Sequence, residues 1–351
     1  MYLLSNYNYS FERNGKIIVF NTYTQALAEL EKQEYIRLIN LDETSKYKES
    51  YINLGYWVNY DERKEILQKN REAISDTRVL QLVIRMTDAC NFRCPYCYQE
   101  HEKVFLDGRK RDILKKFIYE NLAGKEKVYV HYFGGEPLLN VEGILDIDKY
   151  IRKCGVEYNA SLTTNAYLLN SEMVLKLNET NISTFQITLD GPPEIHNQTR
   201  VLRDGKGTFE VILSNIKGII SMTNADIKIR FNCGKKNTEY AKELLSILAK
   251  EKILENSRVK ILFQQLHNYS GVEDNDVYYN ENEYFPVLLG LMNLLRKYGK
   301  QVYKFGPIYN ACALFVSNAY VIGPDLELEV CTTEERRIGV IDKGASCIIQ
   351  I

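Results

Sequence analysis

Through most of the chain, short and nearly continuous apolar runs alternate with longer stretches of helical spacing. LQLVIRMT (80–87), VYVHYF (128–133), YNASLTT (158–164), TFQITLD (184–190), DIKIRFN (226–232) and RVKILFQQL (258–266) have the length and composition of strands. Residues 109–122, 141–153, 208–221, 238–251 and 283–298 carry apolar positions three and four apart, which predicts helices. Six strand–helix units in series predict an α/β fold whose parallel strands are joined by right-handed crossovers. Strands this apolar fit a sheet buried on both faces. Six units are too few for a closed eight-stranded barrel, so the pattern predicts a partial (β/α)6 TIM-type barrel. Its chemistry would sit at the C-terminal ends of the strands.

The two ends follow a different rhythm. Extended runs within residues 2–21 flank Asn14-Gly15, a dipeptide that closes hairpins because both positions tolerate positive φ. The spacing of Ala26, Leu27 and Leu30 predicts a helix from about Thr24 to Ile39, and a second apolar patch runs from Tyr51 to Val58 around Gly55. Residues 61–77 are mostly charged and read as an exposed helical connector. At the other end, two extended runs flank Gly323-Pro324-Asp325 and predict a hairpin between Cys312 and Cys331. The predicted division is an α+β module with its connector at 1–78, a barrel at 79–305 and a short extension at 306–351.

Composition narrows the functional classes. The 351 residues are 45% hydrophobic and 26% charged, with a net charge of −1, which gives no electrostatic reason to expect nucleic acid or an anionic membrane as partner. No apolar run reaches membrane length, and no basic segment followed by an apolar one opens the sequence, so the expected compartment is the cytoplasm. Thiols stay reduced there, which turns clustered cysteines into candidates for metal or catalysis. Three of the eight cysteines fall at 90, 94 and 97, directly after the first barrel strand. Cys154 and Cys233 read as small buried hydrophobes.

Thiolates from one tight loop suit an iron–sulfur cluster, in which three of them cap three irons and leave the fourth open. Two other readings stand beside this one: a structural zinc site completed by His101, and three idle buried thiols. Gly134-Gly135-Glu136-Pro137 ends the second strand, where two glycines allow close backbone approach and Glu136 offers an acceptor to an ammonium group. Thr188-Leu-Asp190-Gly191 ends the fourth strand ahead of His196 and Arg200; Thr188 can donate or accept, and Arg200 can grip a carboxylate. Asp190-Gly191-Pro192 reads as a turn and His196 as a surface or capping residue.

CxxxCxxC with an aromatic before its last cysteine, followed by GGEP and TLDGPP, resembles the radical S-adenosylmethionine superfamily. Over roughly residues 80–340 the chain is similar to the peptide- and protein-modifying branch with SPASM or Twitch C-terminal extensions. The resemblance implies a 4Fe–4S cluster on Cys90, Cys94 and Cys97, with Tyr96 near the adenine of S-adenosyl-L-methionine. It implies that Gly134, Gly135 and Glu136 hold the amino group of that cofactor and that Thr188 and Arg200 contact it. Thr163, Thr164 and Asn165 on the third strand, and Arg230 and Asn232 on the fifth, match the polar positions that face the cofactor.

The same resemblance makes Cys312 and Cys331 candidate ligands of an auxiliary iron–sulfur cluster, with Cys347 left as a third. The family's later cysteine group is missing, and Leu326 stands where its turn usually has glycine. Thr332 follows Cys331 where sulfatase maturases have a catalytic aspartate, which makes sulfatase maturation the lesser reading. The N-terminal module resembles the winged-helix elements that bind leader peptides by strand addition, and IIVFN (17–21) is the expected edge. The implied activity is reductive cleavage of S-adenosylmethionine and hydrogen abstraction from a precursor peptide, giving a thioether, a carbon–carbon crosslink or an epimerised residue. An electron donor such as flavodoxin or ferredoxin would serve it. A catalytically idle leader-binding homologue is the alternative.

Overall fold

The computed structural model describes residues 1–269, 276–300, 316, 318–333 and 336–349. Two compact units divide the chain, one holding Met1–Asp76 and the other Thr77–Val302 with Asn318–Ile351.

The N-terminal unit runs β1 (Leu3–Leu4), β2 (Asn8–Arg13), β3 (Lys16–Asn21), β4 (Leu27–Leu30), α1 (Lys32–Ile39), α2 (Lys48–Asn53), β5 (Trp57–Val58) and α3 (Glu62–Ser75). Asn14 and Gly15, at φ 52° and 76°, close the β2–β3 hairpin between Arg13 and Lys16. The helix predicted from Thr24 starts only at Lys32. Residues 27–30 instead alternate exposed and half-buried and pair with β3, Leu27 opposite Phe20 and Leu30 opposite Ile17. A run of four residues is too short for helical spacing to outweigh a free strand edge. This corrects a second expectation. β3, which carries IIVFN, is paired on both sides, so among the described residues the open edges of the sheet belong to β2 and β4.

Trp57, Tyr56, Tyr51, Val19 and Leu38 form the core of this unit, and the Trp57 indole donates to Leu38 O at 2.8 Å. Asn21 is fully buried and ties three segments together. Its amide nitrogen donates to Ser5 Oγ, Asn8 Oδ1 and Gly55 O, while its oxygen accepts from the Tyr23 and Thr24 N–H groups.

The second unit alternates β6 (Val79–Arg85), α4 (Gly108–Asn121), β7 (Lys127–Phe133), α5 (Val141–Arg152), β8 (Glu157–Thr164), α6 (Ser171–Leu177), β9 (Ile182–Thr188), α7 (Pro193–Thr199), α8 (Phe209–Met222), β10 (Asp226–Cys233), α9 (Ala241–Lys250), β11 (Val259–Gln265) and α10 (Glu281–Lys297). Strands β6 to β11 are parallel and stand in sequence order, the partial barrel that the alternation predicts. Four further strands continue the same sheet: β12 (Ala319–Ile322), β13 (Glu327–Glu329), β14 (Arg337–Ile341) and β15 (Cys347–Ile349). β12 runs parallel to β6, and the other three follow antiparallel. The expected hairpin is therefore one part of a four-stranded continuation. Its turn holds Leu326 buried at φ 66°.

Apolar cover is one-sided. Leu80, Leu82, Ile84, Val130, Leu162, Ile187 and Ile229 pack under the helices. Gln81, His131, Ser161, Thr163, Gln186, Thr188, Lys228, Arg230 and Asn232 alternate with that series and occupy the inner face. A polar inner face departs from the expected two-sided apolar sheet, because this face lines a cavity. Among the described residues no helix is long and apolar enough to cross a membrane.

Replacing Asn21 by Ala leaves its partners unmatched in a dry site and is expected to cost the N-terminal unit about 1–3 kcal/mol. Trp57, the single tryptophan of the chain, lies in this unit, so its fluorescence during urea denaturation measures the loss.

Candidate active site at the strand ends

The segment leading from β6 into the cysteine loop lies directly on the backbone after β7. Gly135 N donates to Thr87 O at 2.9 Å and Glu136 N to Ala89 O at 2.8 Å. A Cβ on Gly135 would stand 2.4 Å from both Asp88 O and Ala89 O, and one on Gly134, at φ 133°, would stand 2.3 Å from Thr87 O. Both positions require glycine. The far side of the loop is bound to residues 201–203 through Arg93 N to Val201 O and Arg203 N to Asn91 O, at 2.9 and 3.1 Å. Asn165, after β8, donates to Asn91 Oδ1 at 2.7 Å and approaches Cys90 Sγ at 3.9 Å. Cys90 is buried, Cys94 and Cys97 are half-buried, and none of the three is in a disulfide. Burial pushes the Cys90 thiol up to about 12 and the Cys94 thiol upward as well.

A second network starts at Asp190, just past β9 and buried. Its carboxylate accepts from the Tyr96 phenol and from Asn232 N. Tyr96 in turn accepts from Arg200 Nη1 at 3.0 Å, and the Arg200 guanidinium lies 5.5 Å over the Phe92 ring. Arg200 Nε is buried and, among the described residues, has no hydrogen-bond partner. His196 is fully buried, which corrects its expected place at the surface. Its Nδ1 accepts from Asp190 N and its Nε2 meets Thr208 Oγ1, and burial holds the ring neutral.

Glu136 is fully buried and turned away from the cavity. Its carboxylate accepts from Leu138 N at 3.1 Å, Thr164 Oγ1 at 2.7 Å and Asn165 N at 2.7 Å, and burial pushes its carboxyl group up. In this structure it braces the end of β8, and the Gly134–Gly135 backbone is the part of the motif that reaches the cavity.

That cavity is about 400 Å³. It brings together Cys90, Cys94, Cys97, Tyr96, Gly134, Gly135, Thr163, Asn165, Thr188, Arg200 and Asn232. His131, Gln186, Gln265, His267, Tyr98, Tyr269, Thr332 and Thr333 also line it, and motif reading missed them. Period-two alternation within β7 and β9 was the available signal for His131 and Gln186. His131 bonds to Ser161 Oγ at 2.7 Å and Thr163 Oγ1 at 3.1 Å, and burial pushes its pKa down to about 4.

The C-terminal strands reach the same rim. Arg85, ending β6, pairs with Asp88 and with Glu329 at the end of β13. Cys331 Sγ lies 3.3 Å from Thr333 Oγ1, next to the cavity wall. Cys312 lies outside the described residues. Glu329 pairs with Arg337 and Cys347 with Ile341, which puts Cys331 and Cys347 at opposite ends of β14, roughly 13 Å of strand apart. Cys347 therefore does not complete a ligand set with Cys331.

The donor set fits the implied cofactors. A bare ion needs its donors converged on one point at about 2.3 Å, and among the described residues no three of His, Cys, Asp and Glu do so. A cubane takes each thiolate on a different iron and needs no such convergence. Beside the thiols, the glycine backbone and the open Arg200 Nε offer an acceptor edge and a cation to an amino-acid moiety.

Residues 84–248 match the Radical SAM superfamily. Fe-coproporphyrin III synthase of Methanosarcina barkeri is 28% identical over 174 residues, which are 49% of this chain and 41% of that protein. The chain spans about half the length of the curated relatives it matches. Among solved structures, anSMEcpe with bound AdoMet and the Kp18Cys peptide superposes with a TM-score of 0.62 at 17% identity, covering 75% of this chain and 77% of that one. Streptococcus suis SuiB bound to S-adenosylmethionine gives 0.53 at 15% identity, covering 94% and 82%. At these identities the likeness is one of fold.

Gly135→Ala forces the cysteine loop off its seat. After anaerobic reconstitution, iron per chain and S-adenosylmethionine affinity should each fall at least about fivefold, as read by iron quantification and calorimetry. His131 gives a pH signature. Its folded pKa is depressed, so the stability it contributes is full above pH 6.5 and is lost as pH falls toward 4. His131→Gln should flatten the decline in unfolding free energy between pH 7 and 5 by about 2 kcal/mol.

Proposed function

We propose, on the match of residues 84–248 to the Radical SAM superfamily, an enzyme that modifies a ribosomally made, leader-bearing peptide. When bound, the 4Fe–4S cluster and S-adenosylmethionine supply an electron and a 5′-deoxyadenosyl radical able to take hydrogen from carbon. The protein positions the reactants. Cys90, Cys94 and Cys97 would hold three irons and leave the fourth without a protein ligand. Arg200, kept charged and pinned by Tyr96, presents its free Nε to the carboxylate of the cofactor. Thr188 and Asn232 offer hydroxyl and amide groups beside it. The inner face around His131, Gln186 and Arg230 is left for the substrate.

The observation that carries the peptide reading is the N-terminal unit, whose three-stranded sheet keeps two edges unpaired among the described residues. On one of them, β2, Tyr9 and Phe11 are exposed, as an added strand would need for side-chain contact. The likeness of fold to anSMEcpe, solved with a peptide, supports the same reading. A small-molecule substrate is the second reading, favoured by the relative named Fe-coproporphyrin III synthase. The intact cysteine and glycine motifs speak against an idle homologue.

The test uses the full chain, reconstituted anaerobically with a reductant, and a synthetic precursor peptide encoded beside its gene. About four irons per chain are expected at the main site. 5′-Deoxyadenosine should form, and the peptide should change in mass or chirality by chromatography and mass spectrometry. Omitting the leader should slow modification at least about tenfold, and Cys94→Ala should abolish iron loading and turnover. 5′-Deoxyadenosine formation that responds to a tetrapyrrole or a nucleotide, and to no peptide, would overturn the peptide reading.

A further inference from the structure

Among the described residues, Arg230 is a cation without an anion. It sits on the inner face of β10, in register with Thr188 of β9, half-buried and lining the cavity. Its Nε donates to Asn232 Oδ1 at 2.7 Å. Among the described residues its two terminal nitrogens have no hydrogen-bond acceptor and it has no carboxylate partner. The other arginines at these strand ends are engaged: Arg85 with Asp88 and Glu329, Arg200 with Tyr96. Among the described residues, no Asp or Glu lines the cavity. Lys228, two positions earlier on the same face, adds positive charge, which helps to hold His131 neutral.

A partly desolvated guanidinium with open donors is unfavourable until an acceptor fills it, and its planar fork matches a carboxylate with two parallel bonds. S-adenosylmethionine brings one carboxylate, and Arg200 stands beside the cysteine loop to meet it. We propose that Arg230 anchors a second carboxylate, the side chain of an Asp or Glu in the peptide substrate, and so selects acidic core sequences. The inference rests on the peptide reading and names the residue that specifies it.

The test reads Arg230 directly by phenylglyoxal modification of the reconstituted full chain saturated with S-adenosylmethionine, followed by tryptic mass spectrometry. The probes are an acetylated, C-terminally amidated pentapeptide with a central Glu, its Gln counterpart, and free glutarate. The Glu peptide is expected to slow modification of Arg230 at least about fivefold at concentrations several times its Kd, and the Gln peptide to leave it unchanged. Calorimetric affinity for the Glu peptide should fall at least about tenfold in Arg230→Gln and less in Arg230→Lys. Protection of Arg230 by S-adenosylmethionine alone, equal protection by the Gln peptide, protection by none of the probes, or an unchanged peptide affinity in Arg230→Gln would overturn the assignment. Protection by glutarate and not by the peptide would leave Arg230 as a carboxylate anchor and remove the peptide reading instead.

Discussion

Main chain lies on main chain where Thr87–Ala89 meets Gly134–Gly135, and the rest of the site is arranged around that contact. No side chain fits between the two segments. The cysteine loop is therefore positioned by hydrogen bonds and sterics of the backbone, which do not depend on rotamers or protonation. The bonds to residues 201–203 and to Asn165 fix its other sides. Loops after three other strands hold one short segment, so the positions of three flexible thiols follow from the barrel frame.

Much of this could be read from the chain because the motifs are local. Alternating runs locate every barrel strand and the long helices to within three residues; the cysteines stand out by their spacing, and the glycine pair, Thr188 and Arg200 through the family resemblance. What escaped the reading depends on contacts far apart in sequence. Asp190 looked like a turn residue, yet its bonds to Tyr96 and Asn232 span 94 and 42 positions. His196 looked exposed because nothing nearby shows that α8 buries it against Thr208 and Phe209. The β4 strand looked helical because its pairing with β3 outweighs a weak local preference. Leu326 shows the reverse case: burial of its side chain maintains a backbone conformation that its type disfavours.

The electrostatics of the cavity follow a division of labour. Carboxylates at the strand ends are turned away from it: Glu136 into two backbone donors and the Thr164 hydroxyl, Asp190 behind Tyr96, and Glu329 toward Arg85. Cations and neutral polar groups face inward. A site that must accept the cofactor's carboxylate beside thiolate-bound metal gains by keeping other anions at a distance, since unscreened charge is felt strongly in a low-dielectric space. The same arrangement leaves the inner face selective for ligands that bring negative charge.

The pairing of β12 with β6 carries a consequence for biogenesis. β6 is the first barrel strand to leave the ribosome, and β12 comes after all six. Until β12 arrives, the flank of β6 is an open sheet edge, and the cysteine loop that follows it lacks the Thr332–Thr333 wall. In chain order the barrel strands thus precede the segments that cover this edge and complete this part of the wall. Docking of the last strands, latched by Arg85 on Glu329, closes both.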